Sequence, residues 1–215
     1  MEEGECVTES SVAFESTGAC LEGRLERIDP KSAAVISHPH PLYGGNMENP
    51  VVQTLQSAYR KNGYSTLRFN FRGVGRSGGN FDEGRGEGED LAAACSYLES
   101  LGFSNIALTG YSFGAWVCAR SAARLKPDHM ILVAPPAAMM DFSTIPPLAS
   151  LRMVVTGSRD AFAPPGLLAP LVKNWRQNAE LIVIEGADHF FLAHLHELEE
   201  AVKKELFPGT AASGD

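Results

Sequence analysis

Short, nearly continuous apolar runs recur along the chain at residues 33–38, 64–71, 106–109, 130–134, 151–156 and 181–185. Runs of strand length without a polar alternation suit strands buried on both faces of a parallel sheet. Segments of helical character follow them, at 50–61, 87–101, 113–125, 165–177 and 189–207. Regular alternation of strand and helix predicts an α/β fold, a mostly parallel, doubly wound sheet with helices on both faces. Ahead of the first run, residues 11–29 are short-patterned and extended, with Gly18 and Gly23 as turn points. That pattern predicts one or two edge strands, paired as an antiparallel hairpin. Neither a repeat nor a linker divides the chain. It reads as a single domain over 11–207, with a flexible tail at 1–10 and a disordered one at 208–215.

Composition narrows the classes of partner. The chain has 215 residues, 44% hydrophobic and 20% charged, enough for one sizeable core. A formal charge of −8, with Lys and Arg scattered, argues against nucleic acid or an anionic membrane surface as a partner. The first ten residues are acidic and polar, unlike a signal peptide, and no apolar run approaches membrane-spanning length. Cys6, Cys20, Cys95 and Cys118 form no C-x-x-C pair and no metal-ligand spacing, so a cytoplasmic protein with reduced thiols is expected. Cys95 and Cys118 lie in Ala-rich helical segments, as small buried residues do.

Ligands of an open α/β sheet bind at the carboxyl ends of its strands. Polar residues there are the candidates for chemistry. Gly110, Tyr111, Ser112, Phe113 and Gly114 spell G-x-S-x-G between a predicted strand and a predicted helix. A serine on so sharp a turn needs small neighbours on either side, and this is the context of a nucleophile elbow. Its hydroxyl projects above the sheet edge, and the Phe113 amide at the first helical turn points toward a developing oxyanion. Two runs later comes Asp160, after the strand ending near Gly157, and His189 follows the last strand. A serine hydroxyl needs a base. The His189 imidazole can take its proton and later give it to a leaving group, and Asp160 would hold the tautomer. Asp141 is the rival acid, whereas Asp188 reads as a turn carboxylate.

Two other patterns weigh less. Residues 73–78 match G-x-G-x-x-G, but a Gly-rich loop follows where a dinucleotide site requires a helix. Among six histidines, His38 and His40, and likewise His194 and His196, stand two apart, with no H-E-x-x-H, so no metal site is predicted. His194 and His196 are expected on the last helix. Phe190 and Phe191 are expected to be core or pocket wall.

With these motifs in view, the chain resembles a small α/β-hydrolase over nearly its whole globular part. The segments carrying the resemblance are His38 to Gly45, Arg72 to Ser77, Gly110 to Gly114, Gly157 to Asp160 and Gly186 to His189, with the triad in the chain order Ser, Asp, His. It is most similar to compact, lidless serine esterases and dienelactone-hydrolase-like members. It departs from dienelactone hydrolases proper, whose nucleophile is a cysteine where this chain has Ser112. It also carries Asn70 where many relatives have Asp, a change assigned to loop structure. The resemblance implies a second oxyanion-hole amide among residues 40–43, His40 first and Leu42 second.

The expectation is therefore a carboxylesterase-like serine hydrolase, acting on small carboxylic esters or thioesters through an acyl-enzyme, with no cofactor. A peptidase acting on small peptides and a catalytically silent binding protein are the alternatives, and a monomer or homodimer is expected. Residues 135–150, with four prolines, are too few and too broken to build a separate lid. Met139, Met140 and Phe142 are expected as a mobile rim, with Phe81 as the opposite rim and Tyr43 as a further pocket residue. So short a rim predicts short acyl chains and no activation at a lipid–water interface.

Overall fold

The computed structural model describes residues 9–206. The tail predicted at 208–215 and residues 1–8 of the one predicted at 1–10 lie outside them, as does Phe207. The last two residues assigned to the amino-terminal tail belong to the fold instead: Ser10 opens the first strand, and Glu9 pairs with Arg68 at 2.6 Å.

Eight strands form one sheet: β1 (Ser10–Ser16), β2 (Ala19–Glu26), β3 (Ser32–Ser37), β4 (Ser65–Phe69), β5 (Asn105–Tyr111), β6 (Met130–Val133), β7 (Leu151–Gly157) and β8 (Glu180–Ile184). Their order is β1-β2-β4-β3-β5-β6-β7-β8, with β1–β2 and β2–β4 antiparallel and every other pair parallel. The hairpin turns at Gly18, in the left-handed region at φ 72°. Gly23 is not a turn. It sits inside β2, where a Cβ would meet the Arg68 carbonyl of β4 at 3.1 Å. The apolar runs became the central strands, which are buried almost throughout. β8 departs from the two-faced burial that was expected. As an edge strand it has a neighbour on one side only, and Val183 remains exposed.

The helices are α1 (Pro50–Lys61), α2 (Arg85–Ser100), α3 (Phe113–Leu125), α4 (Pro165–Trp175) and α5 (Leu195–Leu206). In α1, Asn49 caps the start by accepting the Val51 N–H at 2.9 Å, and Pro50 stands at the first turn. Its buried residues Val51, Val52, Leu55, Ala58 and Tyr59 fall on one helical face. α2 begins two residues before the predicted start, because the Glu87 carboxylate reaches back to the Gly84 N–H at 2.7 Å. α5 begins six residues after the predicted start at His189. There Asp188 accepts the N–H groups of Phe190 and Phe191, and Phe191 adopts a left-handed φ of 55°, so the chain turns rather than coils. His194 therefore precedes the helix and His196 lies on it. α1 packs with α5 and α2 with α3, as right-handed crossovers on opposite faces require.

The chain leaves β3 for β4 on one side and later places β5 on the other. This reversal makes a switch point between β3 and β5, the place at the carboxyl ends of the strands where open sheets of this kind bind their ligands. No insertion covers it: residues 135–150 run as turns from β6 to β7, and no helix is long and apolar enough to cross a membrane among the described residues.

Candidate active site

Ser112 stands between β5 and α3 with φ 55° and ψ −117°, a conformation that L-residues avoid. The glycines on either side allow it. A Cβ on Gly110 would lie 2.4 Å from the Gly114 carbonyl oxygen, and one on Gly114 would lie 2.5 Å from that of Ser37. The first turn of α3 thus presses directly on the end of β3. The hydroxyl donates toward His189 Nε2 at 2.9 Å, and His189 Nδ1 lies 2.8 Å from Asp160 Oδ2. All three side chains are buried. Asp160 can only accept when ionised, so the ring carries its proton on Nδ1 and offers the Nε2 lone pair to the serine. The structure brings together three residues that the sequence separates by dozens of positions.

Each partner is held by its own turn. Asp160 Oδ1 accepts the N–H groups of Phe162 at 2.9 Å and Ala163 at 2.7 Å, which wraps the loop around the carboxylate. The turns after β7 and β8 are stitched together. Arg159 N–H meets the Ala187 carbonyl at 2.9 Å, Gly186 N–H meets Ser158 Oγ at 2.8 Å, and a Cβ on Gly157 would overlap Ala187. Tyr111 donates its hydroxyl to the His189 carbonyl at 2.9 Å, and burial raises its pKa above the ordinary phenol range. The rival acid is placed elsewhere: Asp141 is exposed and accepts the Ser143 N–H at 2.7 Å. Asp188 serves its turn, as described above.

Opposite the serine, residues 38–45 fold into a tight loop around a short 3-10 turn, Pro41–Tyr43. Gly45 closes it, since a Cβ there would lie 2.1 Å from the Pro39 carbonyl. His38 is wholly buried beneath. Its Nδ1–H donates to the Pro39 carbonyl at 2.6 Å, and its Nε2 accepts the Phe71 N–H at 3.0 Å. Among the described residues, neither the Phe113 N–H nor the His40 N–H has an acceptor. Leu42 is a poorer oxyanion donor than expected, because its N–H is taken by His40 Nδ1 at 3.2 Å.

Of the expected pocket residues, Tyr43 and Phe81 come together. Their rings lie 4.7 and 4.9 Å from that of His40, which is itself 4.9 Å from Phe113. Met139 is exposed and Met140 half-buried on the loop after β6. Phe142 is no rim residue. Trp116 Nε1–H binds the Asp141 carbonyl at 2.9 Å and turns the chain inward, so Phe142 is buried with its ring 5.5 Å from Trp175. Sequence reasoning missed Phe162, whose ring is 4.9 Å from His189, and the tether from Tyr111. Tyr111 could have been suspected from its place inside G-x-S-x-G. Nothing in the spacing marks Phe162.

The remaining motifs are structural. Asn70 Oδ1 accepts the Met47 N–H and its amide donates to Glu22 Oε1, each at 2.8 Å, a clip that needs both a donor and an acceptor. In the 73–78 loop, Gly73 N–H binds the Gly78 carbonyl and Arg76 N–H binds Glu22, so these amides face inward. On α5, His196, Glu199 and Glu200 bring ligand atoms within 4.8 Å of one another, but Glu199 already accepts from Lys61 and Ser57 at 2.6 Å. Two surface hollows of about 350 and 190 Å³ share Lys126, Pro127 and Asp128 at the amino edge of the sheet, away from Ser112.

Comparison with known proteins follows the same lines. The family model described as "Alpha/beta hydrolase family" matches residues 40–175. An uncharacterized protein of Rickettsia prowazekii is 35% identical over 91% of this chain and 87% of its own length. Among solved structures, an alpha-beta serine hydrolase homologue from Coxiella burnetii is 36% identical with a TM-score of 0.86, covering 94% of this chain and 100% of that one. A serine hydrolase without a lid from Xanthomonas campestris is 31% identical with a TM-score of 0.86, covering 96% and 97%.

Proposed function

This chain belongs to the alpha/beta hydrolase family, and we propose that it is a serine hydrolase cleaving carboxylic or thioester bonds of small substrates through an acyl-enzyme. The observation that carries this reading is the unbroken relay from Ser112 through His189 to Asp160, at 2.9 and 2.8 Å. In it, His189 Nε2 takes the proton as Ser112 Oγ attacks the ester carbonyl. Asp160 stabilises the imidazolium that forms. The free N–H groups of Phe113 and His40 receive the oxyanion. His189 then gives its proton to the departing alcohol or thiol, leaving Ser112 acylated. A water activated by the same imidazole returns the enzyme. Nucleophile, base and oxyanion donors all come from the chain, so the reaction needs no cofactor. Cys20, Cys95 and Cys118 are free thiols, which suits the cytoplasmic location we propose.

The test is labelling by a fluorophosphonate probe together with p-nitrophenyl ester turnover. Wild type labels at Ser112 and turns over, and Ser112→Ala does neither, with a loss of roughly 10⁴-fold or more. Asp160→Asn loses most of the rate while Asp141→Asn stays near wild type. Failure of wild type to label would favour the silent binding protein, and retained turnover in Ser112→Ala would refute the assignment.

A further inference from the structure

Nine large apolar side chains are exposed among the described residues, and six of them lie on loops at the carboxyl end of the sheet. Leu42, Tyr43, Met139, Phe162, Phe190 and Leu192 all sit on loops leaving the carboxyl ends of β3, β6, β7 and β8. Exposed apolar residues scattered singly are ordinary, but several on the loops of one sheet edge, beside a nucleophile, mark a binding surface.

Of these six, Phe162 and Phe190 flank His189. Their centroids lie 4.9 and 5.8 Å from the imidazole, and 38% and 55% of their surfaces are exposed. Both are anchored through the backbone. Phe162 donates its N–H to Asp160, and its carbonyl accepts the Ala138 N–H at 2.9 Å. Phe190 donates its N–H to Asp188 at 3.0 Å. The backbone that carries each ring is therefore fixed before any substrate arrives, which lowers the cost of ordering the rings on binding.

Proton transfer decides which part of a substrate meets these rings. The leaving-group oxygen or sulfur must come within hydrogen-bond reach of His189 Nε2. The carbonyl oxygen must instead turn toward Phe113 and His40, on the side of Tyr43 and Phe81. We propose that Phe162 and Phe190 form the leaving-group subsite and select esters whose alcohol or thiol portion carries a flat apolar group. This rests on the ester-hydrolase reading above. The bond broken is the ordinary acyl–oxygen or acyl–sulfur bond, and the alcohol leaves with the proton from His189.

The experiment compares kcat/KM for benzyl acetate and ethyl acetate, which share an acyl group and have alcohols of similar acidity. Wild type favours the benzyl ester by roughly tenfold or more, the gain from burying one ring against two others. In Phe162→Ala and Phe190→Ala the ratio falls toward one, and Phe162→Leu, which keeps bulk without a ring, gives an intermediate value. Melting temperatures of these surface variants confirm that the fold is retained. An unchanged ratio with hydrolysis intact overturns the subsite alone. Absence of hydrolysis of either ester by wild type overturns the ester reading and the subsite with it. If the rings instead cover a second copy of the chain, sedimentation shows the variants changing mass while the ratio stays fixed, which also overturns it.

Discussion

His38 is a base that cannot afford a second proton. Its Nδ1–H and Nε2 are both engaged, to the Pro39 carbonyl and the Phe71 N–H, so protonation would set two N–H groups face to face. Burial, opposed by the Pro39 carbonyl and reinforced by His40, lowers its pKa from 6.5 to about 4. A histidine depressed in the folded state contributes stability that is fully present above the unfolded pKa. That contribution is lost as pH falls from about 6.5 to about 4, at about 1.4 kcal/mol per pH unit. Urea unfolding at pH 7, 6 and 5 should show this slope in the wild type. In His38→Gln the part owed to this residue should vanish, leaving a less stable but flatter profile; an unaltered slope would reassign the effect.

At the scale of elements, the contact of α3 with β3 places the serine turn against the loop that carries His40. A methyl on Gly114 would stand 2.5 and 2.7 Å from the carbonyl oxygens of Ser37 and His38. Gly114→Ala is expected to destabilise the protein by about 1–3 kcal/mol and to slow fluorophosphonate labelling, because the helix must retreat. Gly166→Ala, on α4 with nothing within 4 Å of its Cβ, should be neutral or gain up to about 1 kcal/mol. Urea midpoints of the two variants provide the comparison.

Elements of this kind were legible in the sequence where burial and periodicity agree. α1 and α3 match their expected bounds because Pro50 with Asn49, and Ser112, mark their starts. Legibility failed where a side chain redirects the backbone. The hydrogen bonds to Asp188 replace a predicted helical turn after His189, and Trp116, 25 residues before the Asp141 carbonyl it binds, draws Phe142 into the core with no local signal. The candidate triad could be read because each member follows its own strand. Phe162 could not, since its place beside His189 depends on how two loops meet, and Tyr111 was marked by its motif but not as the tether to the His189 carbonyl.

For the molecule as a whole, the absence of any insertion between β6 and β7 leaves the site bounded by short loops. An acyl chain longer than the rim gains little of the ~0.8 kcal/mol that each buried methylene provides. Comparing kcat/KM for p-nitrophenyl acetate, butyrate, octanoate and palmitate should give a maximum at butyrate or shorter, with no jump at the micellar threshold. A maximum at octanoate would point to a long groove instead.

The order in which the site's parts occur along the chain has a consequence for synthesis. Ser112 emerges with β5, but Asp160 waits for β7 and His189 for β8, at the far edge of the sheet. A nascent chain that ends before β8 holds a serine with no base, and domains fold as units while they are made. On the proposed mechanism, reactivity switches on only when the sheet closes its last pairing, and the growing polypeptide stays chemically inert until then.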